Sequence, residues 1–292
     1  MVPSVPRSAV LVALAAVPVF GLVVPAPANA EPVSPVPVAR HRHATGVKLP
    51  APHERKHVRT GIPLYTTGLP GMRPSAYSLE DHTPTPGDQK SVNSCVSWAI
   101  DYSAMGVLES EQNVSGGPNA PMYTYSQLAG GQNVGTSVDD TLDIAKAQGV
   151  DAMSHYWQGN YDYRTLPDSD ERANARNWRI SGYNTLSTGA ALKGEVESAI
   201  SSGLPVIFSL DFYQSFSDMS ADTARDYSYF PGDGERPDGS HEVTIVGYTA
   251  QGVRVENSWG TGWGDGGFAN LSWDYLTWAA LDAHSVGKLV RS

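Results

Sequence analysis

A single cysteine, Cys95, constrains how this 292-residue chain can fold, because no disulfide can form within it. The folded part must therefore be held together by packing alone. The first thirty residues have the pattern of an export signal, with Arg7 before an apolar run and Ala28-Asn29-Ala30 at its end. Exported domains normally use cysteines in pairs, so the unpaired Cys95 indicates a free thiol kept for its reactivity.

The sequence predicts three parts. Residues 1–30 read as a cleavable signal peptide; an uncleaved anchor helix is the alternative, but prolines interrupt the apolar run, which falls short of the roughly 20 residues a membrane span needs. Residues 31–68 form a proline-rich basic arm, with six Lys or Arg against two acidic residues within 31–60. Residues 69–292 form the folded domain. We therefore expect a secreted, extracellular protein.

The arm has three interpretations. It contains His41, His43, His53 and His57 without any periodic apolar pattern, so it reads as a solvated extended tail or as a metal site. The third hypothesis comes from charge, because the whole chain carries a formal net charge of -10 while the arm is basic. Opposite charge would let the arm lie along the domain as a short inhibitory pro-segment until proteolysis removes it.

Composition and motifs exclude several function classes. The net charge of -10 argues against nucleic acid or an anionic membrane as a partner. No glycine-rich phosphate loop follows a predicted strand, and the scattered acidic residues lack metal-ligand spacing. We therefore expect no metal and no cofactor. Nothing in the sequence indicates an oligomeric state.

Cys95 is predicted to lie in the first turn of a helix. The apolar residues after it recur at three- and four-residue steps, with Asp101 and Glu109 off the apolar face. Asn93 or Ser94 can cap this helix, and backbone N–H groups and the helix dipole at that end would lower the pKa of the thiol. A buried structural cysteine is the alternative.

A β-hairpin is predicted in the last quarter of the chain. His241 opens an alternating apolar run, 242–248, and after a short glycine-containing turn a second strand, 253–256, leads into Asn257. The hairpin brings His241 and Asn257 toward the same end. A histidine beside a side-chain amide has the composition of a general base and the group that orients it.

Together these residues resemble the papain-like cysteine peptidases, and the style of the motifs is most like that of the bacterial secreted members. Gln89 stands where the family has its oxyanion-hole glutamine, Cys95 matches the nucleophile and His241 the base. Asn257, within Asn-Ser-Trp-Gly, matches the orienting amide. The separation of Cys95 and His241 lies within the family spacing of roughly 130 to 150 residues.

The resemblance implies an α+β, papain-like fold of two lobes. A helical lobe would carry Cys95, an antiparallel β lobe would carry His241 and Asn257, and the site would lie in the groove between them. It implies a secreted cysteine-type peptidase that hydrolyses peptide bonds through a thioester on Cys95, with a peptide or protein as its substrate. A further helical stretch is predicted from Val138 to Gln148.

Four residues are predicted to bind substrate or cover the site. In the resemblance Gly135, Thr136 and Ser137 lie beside the cleft, where exposed backbone would pair with an extended substrate; a flexible turn before a capped helix is the alternative. Trp259 would cover the bond between the histidine and the amide, although tryptophan also serves as ordinary core filling.

The sequence departs from the family at three positions around the nucleophile. Val92 replaces a disulfide cysteine, Asn93 replaces a glycine that lets substrate backbone come close, and Lys90, expected to point to solvent, replaces another glycine. Asn93 and Lys90 keep open a catalytically inactive homologue that binds peptides. A transpeptidase or ligase that passes the same thioester to an amine is a further alternative.

Overall fold

The computed structural model describes residues 43–51, 58 and 73–290. These all fall within the unit His41–Ser292. The signal peptide predicted at 1–30 lies outside the described residues, and so do His41, His53 and His57 of the arm. Within the described ranges, no helix combines the length and apolar character that crossing a membrane requires.

Nine α-helical segments occur in the described part of the chain. They are α1 (Cys95–Ser97), α2 (Met105–Glu111), α3 (Pro121–Ala129), α4 (Val138–Ala147), α5 (Ser169–Ala175), α6 (Leu192–Ile200), α7 (Gln214–Ser217), α8 (Ala221–Arg225) and α9 (Trp273–Ala279). A π-helical segment, Trp98–Ala104, joins α1 to α2. The result is one continuous run, 95–111, which we call the central helix.

The strands of the described residues are β1 (Tyr77–Ser78), β2 (Arg179–Ile180), β3 (Tyr183–Thr185), β4 (Val206–Asp211), β5 (Ser240–Tyr248), β6 (Gly252–Glu256), β7 (Phe268–Ser272), β8 (Ala280–Val286) and β9 (Leu289–Val290). Seven of these described strands form one sheet in the order β3-β8-β4-β5-β6-β7, with β1 also pairing β5. Every pair in it is antiparallel. The remaining two, β2 and β9, pair with each other.

From Cys95 to Glu109 the central helix is buried on all sides and not only on its apolar face. Asp101 is 0% exposed and Glu109 is 4% exposed, so the expectation that these acids lie off the buried face was wrong. Asp101 is accommodated because the Thr124 hydroxyl on α3 donates a hydrogen bond to it. Burial raises the pKa of Asp101 well above its usual range and that of Glu109 to about 8. Both carboxyls are therefore stable in the interior in their neutral form.

The predicted hairpin consists of β5 and β6, which pair antiparallel with a register shift between Ile245 and Gly247. β5 also pairs with β4 from Ser240 to Ile245, so both of its edges are hydrogen-bonded there, and side chains on both of its faces are buried. The Thr244 hydroxyl on β5 donates to the Ala99 carbonyl in the π-helical segment at 2.9 Å. This bond ties the central helix to β5, and it positions the helix N-terminus beside the first residues of that strand.

Candidate active site

Cys95 is the first residue of the central helix and is 0% exposed. Ser94 occupies the capping position, but its side chain makes no capping hydrogen bond. The helix begins there because the preceding loop is held by a backbone bond from the Val92 N–H to the Gln89 carbonyl at 3.1 Å. The thiol thus lies in the first turn, the location that the sequence predicted.

The thiol pKa departs from the sequence expectation. Burial raises the pKa of Cys95, and the nearby Glu242 carboxylate raises it further. Backbone N–H groups of Glu242, Val96 and Cys95 itself act in the opposite direction, as expected at a helix start, but they are outweighed. The prediction of a lowered pKa was therefore wrong for this buried state, in which the thiol is protonated.

His241 and Asn257 meet at one end of the hairpin, as the sequence predicted. The imidazole Nε2–H donates to Asn257 Oδ1 at 2.8 Å, and the Ser258 N–H donates to the same oxygen at 2.8 Å. His241 Nδ1 has no hydrogen-bond partner among the described residues. The bond to Asn257 therefore fixes the tautomer that leaves Nδ1 with a lone pair.

The imidazole is kept neutral in this state. Burial lowers the pKa of His241 to about 4; the hydrogen bond with Asn257 opposes that change, and the electrostatic effect of His43 adds to it. In this state His241 is neutral and Cys95 is protonated. Forming the thiolate and imidazolium requires a change that lets water or a substrate dipole stabilise the charges.

Trp259 covers the histidine. Its ring stacks on the His241 ring with 4.4 Å between centroids and an interplanar angle of 22°. Phe212, Phe216 and Trp263 pack edge-on against the indole. Because Trp259 is itself 3% exposed, the His241–Asn257 bond is shielded from water, in the arrangement that the sequence predicted.

Gln89 lies between the loop that precedes Cys95, residues 90–94, which we call the nucleophile loop, and the end of the hairpin. Its Nε2 donates to the Val92 carbonyl at 2.9 Å, and its Oε1 accepts from the Ser258 hydroxyl at 2.7 Å. A side-chain amide has two N–H donors, so one remains for a ligand. Ser258, which sequence reasoning did not single out, thus orients the Gln89 amide; its only signal in sequence was its place after Asn257.

The two glycine replacements have different structural consequences. Lys90 adopts a φ of 52°, in the left-handed region where glycine is favoured, and its exposed side chain lies with Nζ 4.9 Å from the Tyr161 ring centroid. Lys90 thus reaches the surface, as expected. Asn93 is not among the described residues with positive φ.

Asn93 instead links two loops through Asn133. The Asn93 N–H donates to Asn133 Oδ1 at 2.7 Å, and Asn93 Nδ2 donates to the Asn133 carbonyl at 3.0 Å. Asn133 Nδ2 in turn donates to the Ser91 carbonyl at 2.9 Å. These bonds hold the loop before Gly135 against the nucleophile loop. Asn133 was missed in the sequence because nothing local indicates a partner 40 residues away.

Residues 43–51 of the arm lie in the cleft. The Thr136 N–H donates to the Gly46 carbonyl at 2.8 Å and the Lys48 N–H donates to the Thr136 carbonyl at 2.9 Å, which makes a parallel bridge between Val47 and Thr136. On the other side the Ser240 carbonyl accepts from the N–H groups of Gly46 and Val47 at 3.2 and 3.4 Å. An extended peptide therefore fits between Thr136 and Ser240.

The cleft is narrowest at Gly46. A Cβ atom placed there would lie 2.1 Å from the Asn93 carbonyl oxygen, and one placed on Gly135 would lie 2.7 Å from the Gly46 oxygen. The Ser137 hydroxyl bonds to α4 rather than to the described part of the arm. It accepts from the Asp140 N–H at 3.2 Å and caps the helix. Of the predicted substrate-binding residues, Gly135, Thr136 and Trp259 therefore contact the peptide segment directly.

Of the three interpretations of the arm, a solvated tail does not describe His43, because its ring contacts the domain. Its ring stacks on Trp259 with 4.7 Å between centroids and an interplanar angle of 15°. Across the described residues no group of three or more His, Cys, Asp or Glu side chains is arranged to hold a metal ion. A cavity of about 730 Å³ continues from His43, between Lys90 on one side and Trp263 on the other.

Comparisons with known proteins agree with this geometry. The family model described as papain family cysteine protease matches residues 84–283. The structure is similar to that of xylellain, a cysteine protease from Xylella fastidiosa, with a TM-score of 0.70 and 17% identity over 86% of this chain and 97% of the other. No curated protein sequence matches the chain.

Two further solved structures have the same fold. ProCathepsin B S9 from Trypanosoma congolense has a TM-score of 0.66 at 14% identity, over 85% of this chain and 87% of the other. The bromelain protease from Ananas comosus has a TM-score of 0.55 at 17% identity, over 74% and 99%. The predicted α+β, papain-like fold is thus confirmed.

Replacing Ser258 with alanine should lower kcat by about 3- to 10-fold with little change in KM, because a neutral hydrogen bond that orients Gln89 is lost. Steady-state peptide hydrolysis measures this effect. In a Gln89→Ala background the same Ser258→Ala change should have almost no further effect. An equal loss in both backgrounds would show that Ser258 acts on something other than Gln89.

Proposed function

Because this chain belongs to the papain family of cysteine proteases, we propose that it hydrolyses peptide bonds outside the cell through a thioester on Cys95. The observation that carries the proposal is the 2.8 Å bond from His241 Nε2 to Asn257 Oδ1. Because this bond uses Nε2, Nδ1 is left to exchange a proton with the thiol of Cys95. Cys95 is the only cysteine of the chain and begins the central helix.

The chemistry follows from these atoms. The Cys95 proton passes to His241 Nδ1, and the thiolate attacks the substrate carbonyl carbon to form a C–S bond. When the tetrahedral intermediate collapses, the C–N bond breaks and the imidazolium gives its proton to the leaving amine. His241 then takes a proton from water as the water attacks the thioester. The acid is released and the Cys95 thiol is restored.

Gln89 is proposed to stabilise the tetrahedral oxyanion together with the Cys95 backbone N–H. Its amide is held from both ends, by the Val92 carbonyl and by the Ser258 hydroxyl, so its remaining N–H is fixed in direction before substrate arrives. Such preorganised donors act strongly because they need no reorientation in the transition state.

Secretion is proposed from sequence alone. Residues 1–30 contain, in this order, a charged start, an apolar run and a small-residue cleavage site, as signal peptides do. Because the rest of the chain has one cysteine and a negative net charge, we propose that the mature protein acts on peptides or proteins rather than on nucleic acid or membranes.

Labelling with a thiol-directed peptidyl epoxide, followed by cleavage of an unstructured protein under reducing conditions, tests the function. The chain starting at Leu69, which lacks the arm, should be labelled and should cleave the unstructured protein. Cys95→Ala should do neither, while Gln89→Ala should still be alkylated but lose about 100- to 1000-fold in kcat. If the chain is not labelled and does not cleave the protein, it is an inactive peptide-binding homologue. Transfer of the peptide to an added amine in place of hydrolysis would indicate a transpeptidase.

We also propose that residues 31–68 act as an inhibitory pro-segment. The described part of the arm hydrogen-bonds both walls of the cleft, through Thr136 and Ser240, and stacks His43 on Trp259. It therefore occupies the path an extended substrate needs. The electrostatic effect of His43 also lowers the pKa of His241 and so disfavours its imidazolium.

A single methyl group should weaken this inhibition. Gly46→Ala puts a Cβ where the Asn93 carbonyl oxygen lies 2.1 Å away, so the arm should leave the cleft and the full chain should gain peptidase activity. Gly189→Ala is the matched control, because no atom lies within 4 Å of a Cβ there. The idea fails if Gly46→Ala, or a chain starting at Leu69, is no more active than the unmodified chain.

A further inference from the structure

Two large aromatic side chains are exposed side by side and take no part in the catalysis proposed above. Trp278 on α9 is 54% exposed and Phe230 is 48% exposed, and their ring centroids are 6.0 Å apart. Tyr213 stacks on the Trp278 ring at 5.9 Å with an interplanar angle of 30°. We call these three residues the aromatic patch. Contiguous exposed apolar side chains of this kind mark interaction surfaces.

Buried rings hold the patch in place from below. Tyr275, which is 0% exposed, packs against the two exposed rings with centroid distances of 5.4 and 5.8 Å. Tyr229 packs edge-on against Tyr275 and also against Phe216, one of the rings that contact Trp259. Trp278 is therefore fixed by packing before any partner arrives, and binding to it needs little further ordering.

The patch lies beside the path of a peptide in the cleft. Tyr213 directly follows Phe212, whose N–H donates to the Gly239 carbonyl at 2.9 Å. A Cβ atom placed on Gly239 would lie 3.1 Å from the Thr45 hydroxyl, so the arm passes this point. The next residue, Ser240, accepts hydrogen bonds from the arm. A longer chain that follows the arm's path therefore runs along the edge of the patch.

The surface around the patch is acidic. Residues 211–239 contain seven Asp or Glu against two Arg and no Lys, a net charge of -5. Burial raises the pKa of Tyr213, and the charges of Asp211 and Glu235 raise it further, which places both acids near the patch. Among the described residues, no Lys or Arg forms an ion pair with either of them. Asp274 adds a further exposed carboxylate on α9.

Charge decides which partner the patch suits. A second copy of this chain, facing the first across a two-fold axis, would bring the same acids together, and anionic lipid headgroups would be repelled. A Lys or Arg side chain is attracted both by the carboxylates and by the faces of the rings, and tryptophan is the aromatic side chain that cations favour most. The patch therefore has the chemistry to bind a positively charged polypeptide segment.

We propose, on the basis of the peptidase function proposed above, that the aromatic patch is an exosite for protein substrates. It binds a segment that carries Lys or Arg while another part of the same substrate chain lies in the cleft. Trp278 is the anchor, because rigidly packed tryptophans contribute most to such contacts. The second contact raises the effective concentration of the scissile segment at Cys95 and leaves the chemical steps unchanged.

The test uses two unstructured polypeptides that share one cleavage segment and differ in the flanks on both sides of it, which carry Lys at alternate positions in one and Gln in the other. A fluorogenic tetrapeptide amide serves as the short substrate. The enzyme is the full chain carrying Gly46→Ala, and peptidyl-epoxide labelling measures the active fraction. At low salt we expect kcat/KM for the Lys polypeptide to exceed that for the Gln polypeptide by about 10-fold. This ratio should fall toward one in Trp278→Ala and fall in part in Asp274→Asn.

Trp157→Ala is the matched control, because Trp157 is a tryptophan outside the patch that is 68% exposed, and this variant should keep the ratio of the parent chain. Every variant should turn over the tetrapeptide as the parent does. If labelled enzyme cleaves both polypeptides equally well, or if the preference for Lys survives in Trp278→Ala, the inference is overturned and the peptidase function stands. No labelling and no turnover of any substrate would overturn the peptidase function, and the inference with it.

Discussion

The hydrogen bond from His241 Nε2 to Asn257 Oδ1 is the interaction on which the site depends. It assigns the proton to one ring nitrogen and leaves the other for the thiol. The bond exists because β5 and β6 form a hairpin whose open end brings together two residues 16 positions apart. Trp259 covers it, and the aromatic rings packed against the indole keep water from competing.

A fold without disulfides must fix the nucleophile loop in another way. Here side-chain amides link it on both sides: Gln89 to the hairpin through Ser258, and Asn93 to the loop before Gly135 through Asn133. Side-chain amides and hydroxyls impose direction as well as distance, since each donor needs its acceptor. The glycine replacement at Asn93 thus provides an anchor for the cleft wall, and Lys90 takes the left-handed backbone conformation that glycine favours.

Local pattern was enough to predict the β5–β6 hairpin, the helix that starts at Cys95 and the α4 helix. Motif order was enough to predict that His241 and Asn257 would meet. What the sequence did not predict are contacts between distant segments: His43 on Trp259, Asn133 on Asn93 and Ser209 on Glu242. The predicted direction of the Cys95 pKa shift was wrong for the same reason. The effect of a helix terminus can be predicted from local sequence, whereas burial depends on the whole fold.

The pH dependence of Cys95 alkylation by iodoacetamide, followed by intact mass, tests the central claim most directly, since the chain has a single thiol. With the arm removed, the account predicts rapid alkylation at pH values far below the ordinary thiol pKa of about 8.5, through the thiolate–imidazolium pair. His241→Ala should shift that reactivity to the ordinary thiol range. Alkylation that rises only near pH 8.5, with or without His241, would contradict the account.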